Sequence, residues 1–158
     1  MRHILAVCTG NICRSPLAEY LLKHRLAAYP EWTVSSAGVF AGEGQPASQE
    51  SVDVLAEQGI DASGHRSRML TLELVNEADY ILVMTESHRS TILAQWPNAA
   101  DKVHLITEFA VAGSQPEDIA DPIGHSTAVY RRTRDQIDAA IADFLLVLVE
   151  KGEIQPAS

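Results

Sequence analysis

In the stretch LAVCTGNICRSPLAEYLL, Leu5 to Leu22, Cys8 and Arg14 stand six positions apart, with Thr9, Gly10, Asn11, Ile12 and Cys13 between them. If the backbone curls there, the N–H groups of Thr9 to Arg14 converge on one point. A helix N-terminus behind them completes a cradle for an anion. Gly10 and Asn11 are residue types that tolerate the positive φ such a curl needs. Arg14 adds a fork of donors matched to phosphate oxygens. The same field lowers a thiol pKa from ~8.5 into the range of about 3.5–7.5. Cys8 is then a thiolate at the floor of the cradle, in line with a phosphorus atom held there. Ser15 can donate a hydrogen bond to the sulfur and make it a better leaving group. Singly, these residues have plainer readings: a packed cysteine, a Gly-Asn turn, a Ser-Pro helix start. Their conjunction carries the reading.

Positioning that loop requires a strand before it and a helix after it. His3 to Val7 reads as a buried strand. Ser15 and Pro16 open a helix as cap and first residue, with Leu17, Leu21, Leu22 and Leu26 as its apolar stripe and Pro30 ending it. Trp32 to Ser36 is a second strand, followed by a Gly- and Pro-rich loop from Ala41 to Ser48. Val52, Leu55 and Ala56 mark a helix closed near Gly59, Asp61 to Arg68 reads as loop, and Leu70 to Asn76 as a short helix. Tyr80 to Met84 is a central strand, Ser87 to Gln95 a helix stopped by Pro97, and Val103 to Ile106 a shorter strand. A loop spans Ala112 to Gly124. A final helix runs from Ser126 to about Lys151 on the stripe Val129, Thr133, Ile137, Ile141, Phe144, Leu145 and Leu148, ending at Gly152 before a frayed tail. Strands alternating with helices predict an α/β fold, an open and mostly parallel sheet covered on both faces. Ligands in such folds bind at the carboxyl ends of the strands, where Cys8 sits.

The 158 residues suggest one domain, 1–158. The net charge of −9 argues against nucleic acid or an anionic membrane as a partner. The apolar run after Arg2 is too short for a secretory signal, and no window approaches the roughly 18 apolar residues of a membrane span. The reading is a cytoplasmic protein, and Cys8 and Cys13, the only two cysteines, are not a secreted disulfide framework. The six histidines show no metal-ligand spacing, so neither a metal nor a cofactor is expected.

The segment VCTGNICRSPLAE resembles the signature of the low-molecular-weight protein tyrosine phosphatases. SSAG at Ser35 to Gly38, GHRSR at Gly64 to Arg68, DYILVMTESH at Asp79 to His88 and DPIG at Asp121 to Gly124 resemble further segments of that family. The resemblance implies a four-stranded parallel sheet flanked by helices, with the phosphate-binding loop after the first strand. It implies phosphorylated proteins as substrates and leaves the oligomeric state open. By pattern alone Asp121 is one of several loop acids, with Glu117 and Asp118 nearby. The resemblance selects Asp121 as the acid that protonates the leaving group and then activates water. It also implies that Asn11, Ser36 and His65 share a supporting hydrogen-bond network around the loop. Cys13 is implied to be a redox guard that traps oxidised Cys8 as a disulfide.

The family contains phosphotyrosine and phosphoarginine phosphatases. Arginine-specific members carry threonine where this chain has Ile12, whose alkyl group suits a phenol ring better than a guanidinium. Tyrosine-specific members commonly place an aromatic residue beside the Asp-Pro pair, where this chain has Ile123. Phe40 is a candidate for one wall of the substrate site. AGVFA, TEF and DPIGHSTAVYRRTRD look more like the arginine branch. The reading favours phosphotyrosine on Ile12. The resemblance also raises a thioredoxin-coupled arsenate reductase, which needs further cysteines that are lacking here. A phosphocysteine carrier would not need Asp121 and has less use for Arg14. A non-catalytic phosphate-binding module would not need Cys8.

Overall fold

The first strand, β1 (Arg2–Cys8), is buried from Ile4 onward because it is covered on both faces. Its side chains alternate between two separate cores. Ile4, Ala6 and Cys8 enter one, and Leu5 and Val7 the other. The computed structural model describes residues 1–110 and 115–155. Along the chain β1 is followed by α1 (Arg14–Arg25), β2 (Trp32–Gly38), α2 (Gln49–Ala56), α3 (Leu72–Glu77), β3 (Tyr80–Val83), α4 (Glu86–Gln95), β4 (Val103–Leu105) and α5 (Thr127–Glu150). The sheet order is β2-β1-β3-β4, every pair parallel. Helices α1, α2 and α5 supply the core on the Ile4 face, and α3 and α4 the core on the Leu5 face. This is the three-layer α/β architecture expected. From β1 the chain steps first to one neighbour, β2, and later to the other, β3. The carboxyl end of β1 is therefore a topological switch point, where such sheets bind ligands.

Several local expectations are corrected. Helix α1 begins at Arg14, with Cys13 as its cap residue and no side-chain cap. Ser15 does not cap it, because its hydroxyl is turned to Cys8 and Asn11 instead. Pro16 still lies in the first turn, where its missing N–H has no intrahelical partner to lose. The helix ends at Arg25, well before Pro30, with all four predicted leucines buried. The inner face of α2 is Ser51, Val54 and Leu55, whereas Val52 is half-buried and Ala56 exposed. The predicted loop from Ala112 lies partly outside the described residues, at 112–114; from 115 to 124 it is irregular as expected. It is nevertheless anchored, since the Ile119 N–H donates to the Met84 carbonyl at 2.8 Å.

Helix α5 is capped by Ser126, whose hydroxyl accepts the Val129 N–H. Thr133, Ile137, Ile141, Phe144 and Leu148 are buried on the expected stripe, joined by Tyr130, Arg134 and Ala140. Through Ile154 the tail is packed, not frayed, and Gln155 is exposed; residues 156–158 lie outside the described residues. Gly152 takes φ +74°, and the N–H groups of Glu153 and Ile154 turn back to the Leu148 carbonyl. Ile154 is buried, and the Glu153 carboxylate accepts from Arg2 and from the Tyr80 hydroxyl, each at 2.5 Å.

Arg134 is a buried cation that closes the end of α2. Its Nη1 donates to the Val54 carbonyl and to Glu57 Oε1, both at 2.8 Å. Arg131 adds a two-pronged bond to Glu57, which holds that carboxyl down at about 2. Replacing Arg134 by Met leaves the Val54 carbonyl without its donor. The expected loss is about 1–3 kcal/mol of stability, read as a lower Tm, with turnover at the Cys8 loop unchanged.

Candidate active site

The curl after β1 is made by one residue. Asn11 takes φ +58°, the only positive φ of a non-glycine among the described residues. Gly10, expected to share the turn, has no positive φ, and a Cβ there would meet nothing closer than Ile12 at 3.8 Å. The left-handed conformation costs an L-residue about 1–2 kcal/mol. Asn11 is held in it by four hydrogen bonds. Its Nδ2 donates to Ser15 Oγ at 2.8 Å and Ser36 Oγ at 2.9 Å, its Oδ1 accepts the Arg68 N–H at 3.0 Å, and its carbonyl accepts from His65 Nε2 at 2.7 Å. At about 0.5–1.5 kcal/mol each, these outweigh the strain. Ser36 and His65 thus sit where the supporting network was expected. The sequence reading missed three further members. Glu19 is a buried carboxylate that accepts from Ser36 at 2.5 Å and from Lys23 at 2.6 Å. Arg68 donates its Nε to the Ser36 carbonyl at 3.0 Å. Gly38 faces Cys8 across the β1–β2 ladder, and a Cβ there would sit 2.4 Å from the Thr9 carbonyl oxygen. A glycine closing a strand was the available signal for Gly38.

The thiol of Cys8 is buried, 3.0 Å from Ser15 Oγ. Because Ser15 Oγ already accepts from Asn11, its own hydrogen is free for the sulfur. Arg14 is buried too, 5% exposed. Its Nη1 donates to the Ile119 carbonyl at 2.8 Å, and its Nη2 lies 3.5 Å from Thr9 Oγ1 and 3.6 Å from Asp121 Oδ2. Its Nε is buried without a partner among the described residues. An anion in the cradle would supply that acceptor.

Asp121 reaches the site from the far end of the chain. Its side chain is 44% exposed, and Oδ1 accepts the Ile123 N–H at 3.1 Å. Pro122 beside it is buried. The rival acids are placed otherwise. Asp118 Oδ1 accepts the Glu86 N–H at the start of α4, and Glu117 is fastened through its backbone to Thr107. Ile12 is half-buried against the Cys8-side core, and its carbonyl accepts the Ser48 N–H. Phe40 is 81% exposed, and its N–H donates to the Thr9 carbonyl at 2.9 Å, which fixes its backbone beside the loop. Ile123 is exposed, two residues from Asp121. Cys13 is buried, with Sγ 3.3 Å from the Tyr130 hydroxyl, and burial pushes its thiol up. Both cysteines are free thiols. His88, also missed, is buried with Nε2 2.9 Å from Thr9 Oγ1. Among the described residues no three His, Cys, Asp or Glu side chains gather as a metal site, and no helix is long and apolar enough to cross a membrane.

The arrangement can hold a tetrahedral anion over a cysteine, with a carboxyl group at its rim. Comparison with known proteins agrees. Residues 3–154 match the model of the low molecular weight phosphotyrosine protein phosphatases. The chain is 45% identical to the protein-arginine-phosphatase of Geobacillus stearothermophilus over 87% of its own length and 90% of that protein. It is 38% identical to the low molecular weight protein-tyrosine-phosphatase Ptp of Acinetobacter johnsonii, over 90% of this chain and 95% of that one. Among solved structures, the YwlE arginine phosphatase, as a cysteine-to-serine mutant with a phosphorylated active-site serine, matches with a TM-score of 0.85 and 38% identity, covering 92% of this chain and 95% of that one. The chain belongs to the low molecular weight phosphotyrosine protein phosphatase family and is a phosphatase of the phosphoric monoester hydrolase class.

Proposed function

We propose that the chain dephosphorylates phosphotyrosine in proteins through a phosphocysteine at Cys8. The cradle N–H groups and Arg14 bind the phosphoryl oxygens and neutralise the charge that develops on them. The Cys8 thiolate attacks phosphorus as the bond to the phenolic oxygen breaks, and Asp121 gives its proton to that oxygen. In the second step Asp121 takes a proton from water, the water oxygen attacks phosphorus, and the sulfur leaves. The Ser15 hydroxyl, 3.0 Å from the sulfur, stabilises the thiolate as it forms. The observation that carries this reading is the joining of Arg14 to both partners. It starts the helix behind the Cys8 loop and lies 3.6 Å from Asp121, 107 residues later. A carrier or a binding module has no use for a carboxyl group kept at that rim.

The choice of phosphotyrosine rests on Ile12, a residue of the cradle loop with an alkyl side chain. The identity to arginine phosphatases supports a second reading, phosphoarginine, with the same nucleophile and acid. Cys13, buried in the same core as Cys8, supports its assignment as redox guard. Peroxide oxidises Cys8 to a sulfenic acid, and the Cys13 thiol displaces water from it to form the disulfide.

Three results are expected. Wild type turns over p-nitrophenyl phosphate and Cys8→Ser does not, while Asp121→Ala lowers kcat by about 10²–10⁴ on phenyl phosphate, whose leaving group needs the proton more. Ile12→Thr shifts the ratio of kcat/KM for phosphotyrosine and phosphoarginine peptides toward phosphoarginine; an unchanged ratio removes Ile12 as the selector. After hydrogen peroxide and then a thiol reductant, wild type regains activity and Cys13→Ser does not, and equal recovery excludes the guard role.

A further inference from the structure

Thr9, the residue after the nucleophile, has a side chain that the backbone cradle does not need. Its Oγ1 lies 2.9 Å from His88 Nε2 and 3.5 Å from Arg14 Nη2. His88 is the third residue of α4, in the turn that follows β3. There it closes a reciprocal cap: Thr85 Oγ1 accepts the His88 N–H, and His88 Nδ1 accepts the Thr85 N–H, both at 3.2 Å. That second bond fixes the tautomer. A ring nitrogen that accepts cannot carry the proton, so in the neutral ring the hydrogen is on Nε2 and is donated to Thr9 Oγ1. Burial, reinforced by the Arg14 charge, holds the ring neutral by lowering its pKa to about 4, with Asp118 and Asp121 opposing more weakly.

The consequence falls on the threonine. His88 Nε2–H and Arg14 Nη2 both approach Oγ1 as donors, so the two lone pairs of the hydroxyl are engaged. Its own hydrogen must point elsewhere. With no acceptor bonded to it among the described residues, that hydrogen is left for a phosphoryl oxygen held in the cradle or for Asp121, whose Oδ2 lies 3.6 Å from the same Arg14 Nη2. The structure assigns to His88 the role of a positioning residue that turns the Thr9 hydroxyl into a donor toward the phosphoryl group undergoing transfer. It does so from the first turn of α4. The inference rests on the phosphatase reading above.

The test compares kcat and KM for p-nitrophenyl phosphate, with Tm as a control, in wild type, Thr9→Val, His88→Leu, His88→Gln and the Thr9→Val/His88→Leu double variant. Glutamine presents an acceptor and a donor much as the imidazole does, and it suits the third position of a capped helix. Thr9→Val and His88→Leu are each expected to lower kcat/KM by about tenfold or more. The double variant should be no worse than Thr9→Val, and His88→Gln should restore most of the activity. Wild-type activity in either single variant overturns the assignment. So do losses that multiply in the double variant, or a His88→Gln variant as impaired as His88→Leu. If His88→Leu does not fold, Thr9→Val and His88→Gln still decide the matter. A wild type without turnover overturns the phosphatase reading itself, not the geometry of His88 alone.

Discussion

The site depends on keeping one side-chain amide fully occupied. Asn11 bends the chain where no glycine does, and it stays bent because both amide hydrogens, the amide oxygen and the backbone carbonyl each have a partner. Those partners come from α1, β2 and the loop before α3, three separate parts of the fold. The network also sets the chemistry. By taking one lone pair of Ser15, Asn11 orients the Ser15 hydrogen toward Cys8. By drawing Ser36 onto Glu19, it places a buried carboxylate behind the loop, where Lys23 neutralises part of its charge. The conformation of one residue and the polarity around the nucleophile are therefore two results of the same bonds.

A second constraint joins the acid to the cradle. Arg14 does not float above the loop; Ile119 fixes it through a carbonyl, and Ile119 is itself pinned to Met84, the residue after β3. The loop that carries Asp121 is thus tied to the buried cation that starts α1. A movement of that loop would be felt at Arg14 before it reached the solvent. Pro122, buried behind the acid, stiffens the same connection.

Much of this was legible in the sequence wherever a single local rule decided the outcome. The four expected strands all formed, two of them from continuous apolar runs, and the long stripe from Thr133 to Leu148 became the buried face of α5. Cys8, Arg14, Asn11, Ser36, His65 and Asp121 came together around one loop. The misreadings arose where a residue answers to a distant partner. Ser15 was expected both to cap α1 and to donate to the Cys8 sulfur; it does only the second, because the Asn11 amide holds its hydroxyl away from the helix end. Gly10 was expected to share the turn, yet Asn11 alone takes the positive φ, held there by amide partners 4, 25 and 57 residues away. Glu19 reads as the polar side of an amphipathic helix until Ser36 is placed beside it. His88 reads as an ordinary residue of a helix until its ring is seen bridging Thr85 and Thr9. The tail looked frayed because its contacts, with Arg2 and Tyr80, belong to the opposite end of the chain and to the sheet.

The alternation along β1 has a consequence for how the enzyme can change. Cys8 belongs to the layer of Ile4 and Ala6, and Leu5 and Val7 to the other. The face that receives the Cys8 sulfur is therefore set by parity. Insertion or deletion of a single residue between Ile4 and Cys8 would carry the sulfur to the α3–α4 side of the sheet, away from α1 and from every donor of the loop. Surface loops elsewhere can drift in length with little penalty. This strand can change only in steps of two, so the reading frame of one short pleat is inherited together with the chemistry.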